Sequence, residues 1–449
     1  MIQNIIDLSR KLESKKVTSE SLVRDVFDQI DAPEKQGDLA FLSLYRERAL
    51  AEATLVDQAR EKGLSLPKFA GIPIAVKDLF DVRGEVTRAG SRVLDHMEPA
   101  VQDAEVVRNL RLAGFIVVGK NNMTEFAYSG LGINDHFGTP LNPYDKINDR
   151  VPGGSSSGAA VSVAEEMVPA AIGTDTGGSC RIPAAFCNVV GFKPSSNRVS
   201  KTGCVPLSKT LDCIGAFATS VSCCSVIDSV LSGGIGEDVE SRPEGGLRLG
   251  VLEGYVTENL DETVASAYQE ALTRLSHRGV RLTPITINEL AELPNINSKG
   301  GFVGSEAYAW HKELLETRGE FYDPWVRARF SAGESQTAAD YILLGEHRSR
   351  IRAAVSEKHS LFDAFVLPTV QIVPPKLSDL EAPEASNPTN LLCLRNTAVG
   401  NFLDCPAISI PCQDANSLPV GLMLMGQTGD DRSLLSIARG LEQIIRGRL

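Results

Sequence analysis

A chain of 449 residues with 43% hydrophobic side chains can bury one large core, and its net charge of −12 argues against nucleic acid or an anionic membrane surface as a partner. Nine cysteines, an odd number with no framework of spacings and no C-x-x-C pair, fit reduced thiols in a cytoplasm and predict no structural metal. The opening MIQNIID lacks the charged leader and apolar core of a signal peptide, and no apolar run reaches the length of a membrane span.

Residues 4–31 read as two helices, the second carrying Leu22, Val23, Val26, Phe27 and Ile30 on one face after a Thr18/Ser19 start. A strand over 41–45 and an alanine-rich helix over 46–62 follow. In 71–77, Ile72, Ile74 and Val76 alternate to one face of a strand while Ala75 and Lys77 point to the other. A helix over 104–112, a strand over 115–118 and a short helix over 123–128 lead to the loop 130–150. Its Gly, Asn, Asp and Pro suit a loop that lines a site.

Beyond residue 194, a helix over 221–231 ends at Gly233-Gly234, and 233–246 reads as a surface linker. Strands over 247–252, 280–287, 364–367, 407–410 and 420–425 alternate with helices over 262–275 and 432–445. This alternation predicts an α/β fold: a single large domain, 1–449, with a mixed, twisted central sheet covered by helices on both faces. Phe302, Tyr308, Trp310, Phe321, Tyr322, Trp325 and Phe330 gather in one stretch that holds both tryptophans. They either pack a helix on the core or wall a substrate pocket. On the second reading 290–360 is a variable, substrate-facing helical region, with Phe126, Tyr128, Trp310 and Trp325 as pocket candidates.

Two glycine-serine turns, Gly153-Gly154-Ser155-Ser156-Ser157-Gly158 and Gly177-Gly178-Ser179, each lead into a helix. Such turns gather backbone N–H groups into one concavity, which can hold a phosphate or a developing oxyanion. The phosphate reading needs a lysine after the glycines or a G-x-G-x-x-G pattern, and neither occurs. Gly154 to Gly158 matches a G-x-S-x-G elbow centred on Ser156, but no apolar strand precedes it. Ser179 is better placed: Ala170-Ala171-Ile172 feeds its turn, Pro183 suits the first position of the next helix, and glycine amides lie just upstream. It lacks a local base, since the six histidines sit in no orienting motif. A buried, neutral lysine can serve instead, and Lys77 fits: its own segment taken alone favours a strand-end lysine paired with Asp78 or solvent, and the serine-rich turns shift the reading toward a base.

GIPIAVKD, PGGSSSG and GTDTGGSCRIPAAFC together resemble the amidase signature family of serine hydrolases. The likeness extends through VTSESLVRDVFDQI, VGKNNMTEFAYSG, RVSKTGCVPLSKTLDCIGAFATSV and PAISIPCQDANSLPVGLMLMG. It implies a Ser-cisSer-Lys triad with Ser179 as nucleophile, Ser155 as bridge across a cis Gly154–Ser155 peptide, and Lys77 as base. It further implies an oxyanion hole from the N–H groups of Thr176, Gly177, Gly178 and Ser179, braced by Asp175 and Arg181. Ser157 and Cys180 depart from commoner versions of the motif at positions that carry no chemistry. With no partnered histidine in view, Cys180 is not read as a thiol nucleophile.

The implied activity is cleavage of the C–N bond of a small amide or carbamate (urethane), with esters as further substrates, in the cytoplasm, without cofactor, nucleic acid or membrane, in a chain that can form a homodimer. A rival within the family is the amidase subunit of a tRNA-dependent amidotransferase. Against it, Ile182 stands where that branch commonly has glutamine, and SNRVSKTGCVPLSKTLDCIG departs from its YGRVSRYG pattern. A rival from another class is a non-catalytic binding protein on the same scaffold, against which all three triad positions are filled.

Overall fold

Short apolar runs, most of them buried on both faces, build the centre of the molecule, described in a computed structural model for residues 4–414 and 417–447. The strands are β1 (Phe41–Leu44), β2 (Pro73–Lys77), β3 (Ile116–Asn121), β4 (Ala170–Asp175), β5 (Val190–Lys193), β6 (Cys213–Ala218), β7 (Arg248–Glu253), β8 (Arg281–Thr286), β9 (Ala364–Pro368), β10 (Ala407–Pro411) and β11 (Gly421–Met425). They form one sheet in the order β1-β3-β2-β4-β6-β5-β10-β11-β9-β7-β8. β2 runs parallel to β3 and β4, and β7 to β8 and β9; the other pairs are antiparallel. The sheet is therefore mixed and the fold α/β, as expected.

Alternation along β2 shows how the layers are shared. Ile74 and Val76 enter one apolar cluster with the helices Val221–Leu231 and Asp431–Ile445. Ala75 enters a second cluster, with Val23, Val26 and Phe27 of the helix Ser19–Ile30 and Ala159 to Val163 of the helix Ser157–Ala164. Both faces are thus covered, and all five residues of β2 are buried. The helix Ser19–Ile30 starts where the sequence places it because Thr18 and Ser21 cap each other reciprocally.

Three local expectations need correction. The helix over 123–128 is only a 3₁₀ turn, Glu125–Ala127, in which Phe126 and Ala127 take φ of 48° and 62°. Its backbone is claimed from outside: Thr124 N–H donates to Ser155 O and Phe126 N–H to Ala89 O. The helix after the second turn begins at Arg181, so Pro183 is its third residue, where a missing N–H still costs nothing. β5 and β6 are strands that periodicity does not announce, because both are buried on both faces and contain glycine.

The segment 233–246 contains no helix or strand and is held against the last helix, where Ser436 Oγ donates to Glu240 O at 2.6 Å. In 290–360 the chain folds into the helices Gly301–Arg318, Pro324–Ala332 and Ala338–His359. All nine cysteines are unpaired. Among the described residues no helix is long and apolar enough to cross a membrane, and no cluster of side chains is suited to a metal ion.

Candidate active site

Lys77 ends β2 on the face shared with Ala75, and its side chain is fully buried. Nζ donates to Ser155 Oγ at 2.7 Å and to Thr174 Oγ1 at 2.9 Å. The parallel pairing of β2 with β4, Ala75 with Ala171 and Val76 with Ile172, carries Thr174 to this position. No carboxylate lies within ion-pair distance of Lys77 among the described residues. Asp78, its neighbour in sequence, faces Lys120 at 3.6 Å and accepts Gly90 N–H at 3.0 Å, so the strand-end pairing is taken by a different lysine. Desolvation lowers the Lys77 pKa to about 8.

Ser155 follows a cis peptide bond at Gly154–Ser155. Gly154 N–H donates to Gly130 O at 2.8 Å, and a Cβ there would stand 2.5 Å from Gly132 N, so only glycine passes. Ser156, the centre of the rejected elbow, is buried and turned to Thr174 O at 3.3 Å.

Ser179 lies 4% exposed in the turn between β4 and the helix Arg181–Phe186. Asp175 draws that turn closed. Its carboxylate accepts Cys180 N–H at 3.0 Å, Arg181 Nε at 3.0 Å and Nη2 at 2.9 Å, and Asn401 Nδ2 at 2.9 Å. Burial would raise this carboxyl, but the Arg181 charge and hydrogen bonds outweigh it and hold the pKa at about 2. Gly178 takes φ of 142°, and a Cβ there would meet Thr397 Oγ1 at 2.2 Å. That hydroxyl donates to Gly177 O at 2.6 Å, so Thr397 and Asn401, one turn apart on the helix Pro383–Leu403, grip the turn from one side.

With its carbonyl and flanks held this way, the turn leaves the N–H groups of Thr176, Gly177, Gly178 and Ser179 without an acceptor among the described residues. Four free amides beside one hydroxyl can stabilise an oxyanion. Cys180 is fully buried and desolvation pushes its thiol well above the ordinary range, which leaves it no thiolate character. Because Arg181 and Asp175 are both wholly buried, Arg181→Met leaves a charge without its partner and should cost about 3 to 5 kcal/mol of unfolding free energy, readable by denaturant titration.

Phe126, Tyr128 and Trp310 come together in one aromatic cluster. The Phe126 ring lies 6.1 Å from Trp310, 4.4 Å from His311 and 5.9 Å from Phe330, which in turn lies 5.0 Å from Tyr128. Thr124, two residues before Phe126, donates its N–H to Ser155 O, so the cluster adjoins the site. Trp325 is half-buried and has no ring partner among the described residues. Thr174, Thr397, Asn401 and Asp212, which accepts Thr176 Oγ1 at 2.6 Å, escape the sequence reading.

A family model described as Amidase matches residues 21–435. The 2-amino-5-chloromuconic acid deaminase of Comamonas testosteroni is 36% identical over 405 residues, 89% of this chain and 87% of its own. A glutamyl-tRNA(Gln) amidotransferase subunit from Natranaerobius thermophilus is 32% identical over 482 residues, 98% of this chain and 95% of its own. A crystal structure of an amidase superposes with a TM-score of 0.89 at 29% identity over 100% of both chains. These matches run through nearly the whole sequence and both glycine-serine turns, and the chain belongs to the Amidase family, as a hydrolase of carbon–nitrogen bonds.

Proposed function

We propose that the protein cleaves the C–N bond of a small amide or carbamate through an acyl intermediate on Ser179. The observation that carries this reading is Lys77, fully buried and held 2.7 Å from Ser155 Oγ, with no carboxylate within ion-pair distance among the described residues. A lysine so desolvated can lose its proton near neutrality.

Neutral Lys77 takes the Ser155 proton as Ser155 takes that of Ser179, and Ser179 Oγ adds to the carbonyl carbon. The oxyanion forms against the amides of Thr176 to Ser179. Its collapse breaks the C–N bond, and the proton returns through Ser155 to the leaving amine. Water then adds to the acyl group by the same relay and frees Ser179.

A small substrate is supported by the 36% identical relative, named for a deaminase of one small acid. The amidotransferase subunit remains the second reading, on 32% identity across 98% of the chain. Ile182 and the 196–215 segment weigh against it. Work in the cytoplasm suits nine unpaired thiols, of which only Cys204 is partly exposed.

The test is to label the purified chain with a fluorophosphonate and to assay aryl amides, alkyl amides and carbamates. Labelling at Ser179 with turnover of one class supports the proposal; labelling at Ser156 or Cys180 with Ser179 untouched would overturn it. Trp310, 36% exposed at the edge of the aromatic cluster, tests the pocket. Trp310→Ala should reorder the panel by about tenfold in kcat/KM between substrates with a small change in Tm. Uniform loss on every substrate with a lowered Tm points to packing alone.

A further inference from the structure

We propose that Asp212 is a positioning residue of this site, anchoring the oxyanion turn through Thr176 and holding a negative charge toward Lys77. The inference rests on the hydrolytic reading given above. Its geometry is independent of that reading. The Asp212 carboxylate, 5% exposed, accepts Thr176 Oγ1 at 2.6 Å, Leu207 N–H at 3.0 Å and Ser208 N–H at 3.1 Å. Thr176 is the first of the four residues whose amides are free. Asp175, Thr397 and Asn401 secure the far side of the turn, whereas its near side is secured by Asp212.

The loop that presents Asp212 is itself braced from the helices of 290–360. Glu306 on Gly301–Arg318 accepts Ser208 Oγ at 2.5 Å, Thr210 N–H at 3.0 Å and Tyr341 OH at 2.6 Å, and Thr210 Oγ1 as well. Hydrogen bonds thus run without a break from two helices outside the sheet to the oxyanion turn.

The charge has a specific neighbour. Cys180, Cys204, Asp212 and Asp175 act on Lys77 most strongly among its titratable neighbours. Burial pushes both thiols up, so they stay neutral, and Asp175 is matched by Arg181 at 2.9 Å. Asp212 has no ion-pair partner among the described residues. The groups around it are Lys77 on β2, Lys201 and Cys204 on its own loop, Cys213 on β6 and, through Ser208, Glu306. Lys201 Nζ donates to the main-chain oxygens of Lys209 and Asp212 at 3.0 and 3.2 Å instead of to the carboxylate. Desolvation raises the Asp212 pKa to about 6, so above that pH it is an anion, and its charge acting on Lys77 favours the ammonium form.

Asparagine at 212 keeps the volume, removes the charge and must turn an NH₂ group toward either Thr176 or the two backbone N–H donors. Thr176→Val removes the tether and keeps the charge. The experiment is the second-order rate of Ser179 labelling by a fluorophosphonate, followed from about pH 5 to pH 10 across the limb on which a general base titrates. In Asp212→Asn the plateau should fall about tenfold to hundredfold, and the midpoint of the rising limb should move to lower pH. In Thr176→Val the plateau should fall with the midpoint in place.

A wild-type plateau and midpoint in Asp212→Asn overturn the proposal. So does an equal midpoint shift in both variants, which would mean that repacking, not charge, moves Lys77. If Asp212→Asn fails to fold by circular dichroism, Thr176→Val decides, and an unchanged plateau there overturns the anchor. Wild-type protein that does not label at Ser179, or a limb that survives Lys77→Met, breaks the hydrolytic reading itself and the inference with it.

Discussion

Ser179→Ala is expected to lower turnover by about four to six orders of magnitude while leaving the melting temperature within a few degrees of wild type. Removing one member of a unit that acts together costs nearly as much as removing all of it, because no other group supplies the bond to the acyl carbon. The structural cost is small. The Ser179 hydroxyl donates to no acceptor among the described residues, and the turn is held by Asp175, Thr397 and Asn401 through other atoms. Substitutions of this kind, which open no large cavity and strand no polar group, sit at the low end of mutational destabilisation. Turnover of whichever panel substrate the wild type accepts, measured with Tm, checks both halves. Residual turnover within tenfold of wild type would place the nucleophile elsewhere.

Lys77→Met is expected to abolish most of the rate and to be no less stable than wild type near pH 7. Both halves follow from one quantity. Lowering a lysine from 10.5 to about 8 means that the protonated side chain destabilises the fold by about 3 kcal/mol below the folded-state pKa. The sign follows from proton binding: between about pH 8 and the ordinary lysine value, the unfolded chain holds a proton that the native chain does not. Wild-type stability therefore rises with pH across that window. Methionine carries no such penalty, although Ser155 and Thr174 each lose a hydrogen bond worth about 1 kcal/mol. The stability difference between the two proteins should shrink or reverse as pH rises past the window. The wild-type kcat/KM should climb along a limb centred near 8, and the variant should have no such limb. Lys77→Arg keeps a charge that does not deprotonate and should rescue nothing. Near wild-type turnover in Lys77→Arg would show that the base lies elsewhere.

His311 marks the boundary of what pattern can tell. It is fully buried, stacked 3.7 Å from the Phe330 ring, and bound through Nδ1 to Tyr322 OH at 2.7 Å, while burial lowers its pKa to about 3. In sequence it is one of six scattered histidines. Nothing local distinguishes a histidine inside an aromatic cluster from one on a helix surface, because the cluster is assembled from residues 126 to 330.

The sequence by itself determined the alternation of strands and helices, the position of Lys77 on the less apolar face of β2, and the two glycine-serine turns. These are local matters: side-chain period, the conformational freedom of glycine, and hydroxyls at fixed offsets in one segment. Tertiary structure decided which charges meet. Asp78 adjoins Lys77 in the chain yet pairs with Lys120, and Asp212, 135 positions from Lys77, accepts the Thr176 hydroxyl in the turn that carries Ser179. Pairing of β4 with β6, which sets Asp175 opposite Cys213, brings Asp212 to Thr176. The packing of the helix Pro383–Leu403 over the turn brings Thr397 and Asn401 to it. It also decided that 123–128 is no helix, since six residues of helical pattern offer too few internal hydrogen bonds to outweigh the claims of Ser155 and Ala89 on that backbone.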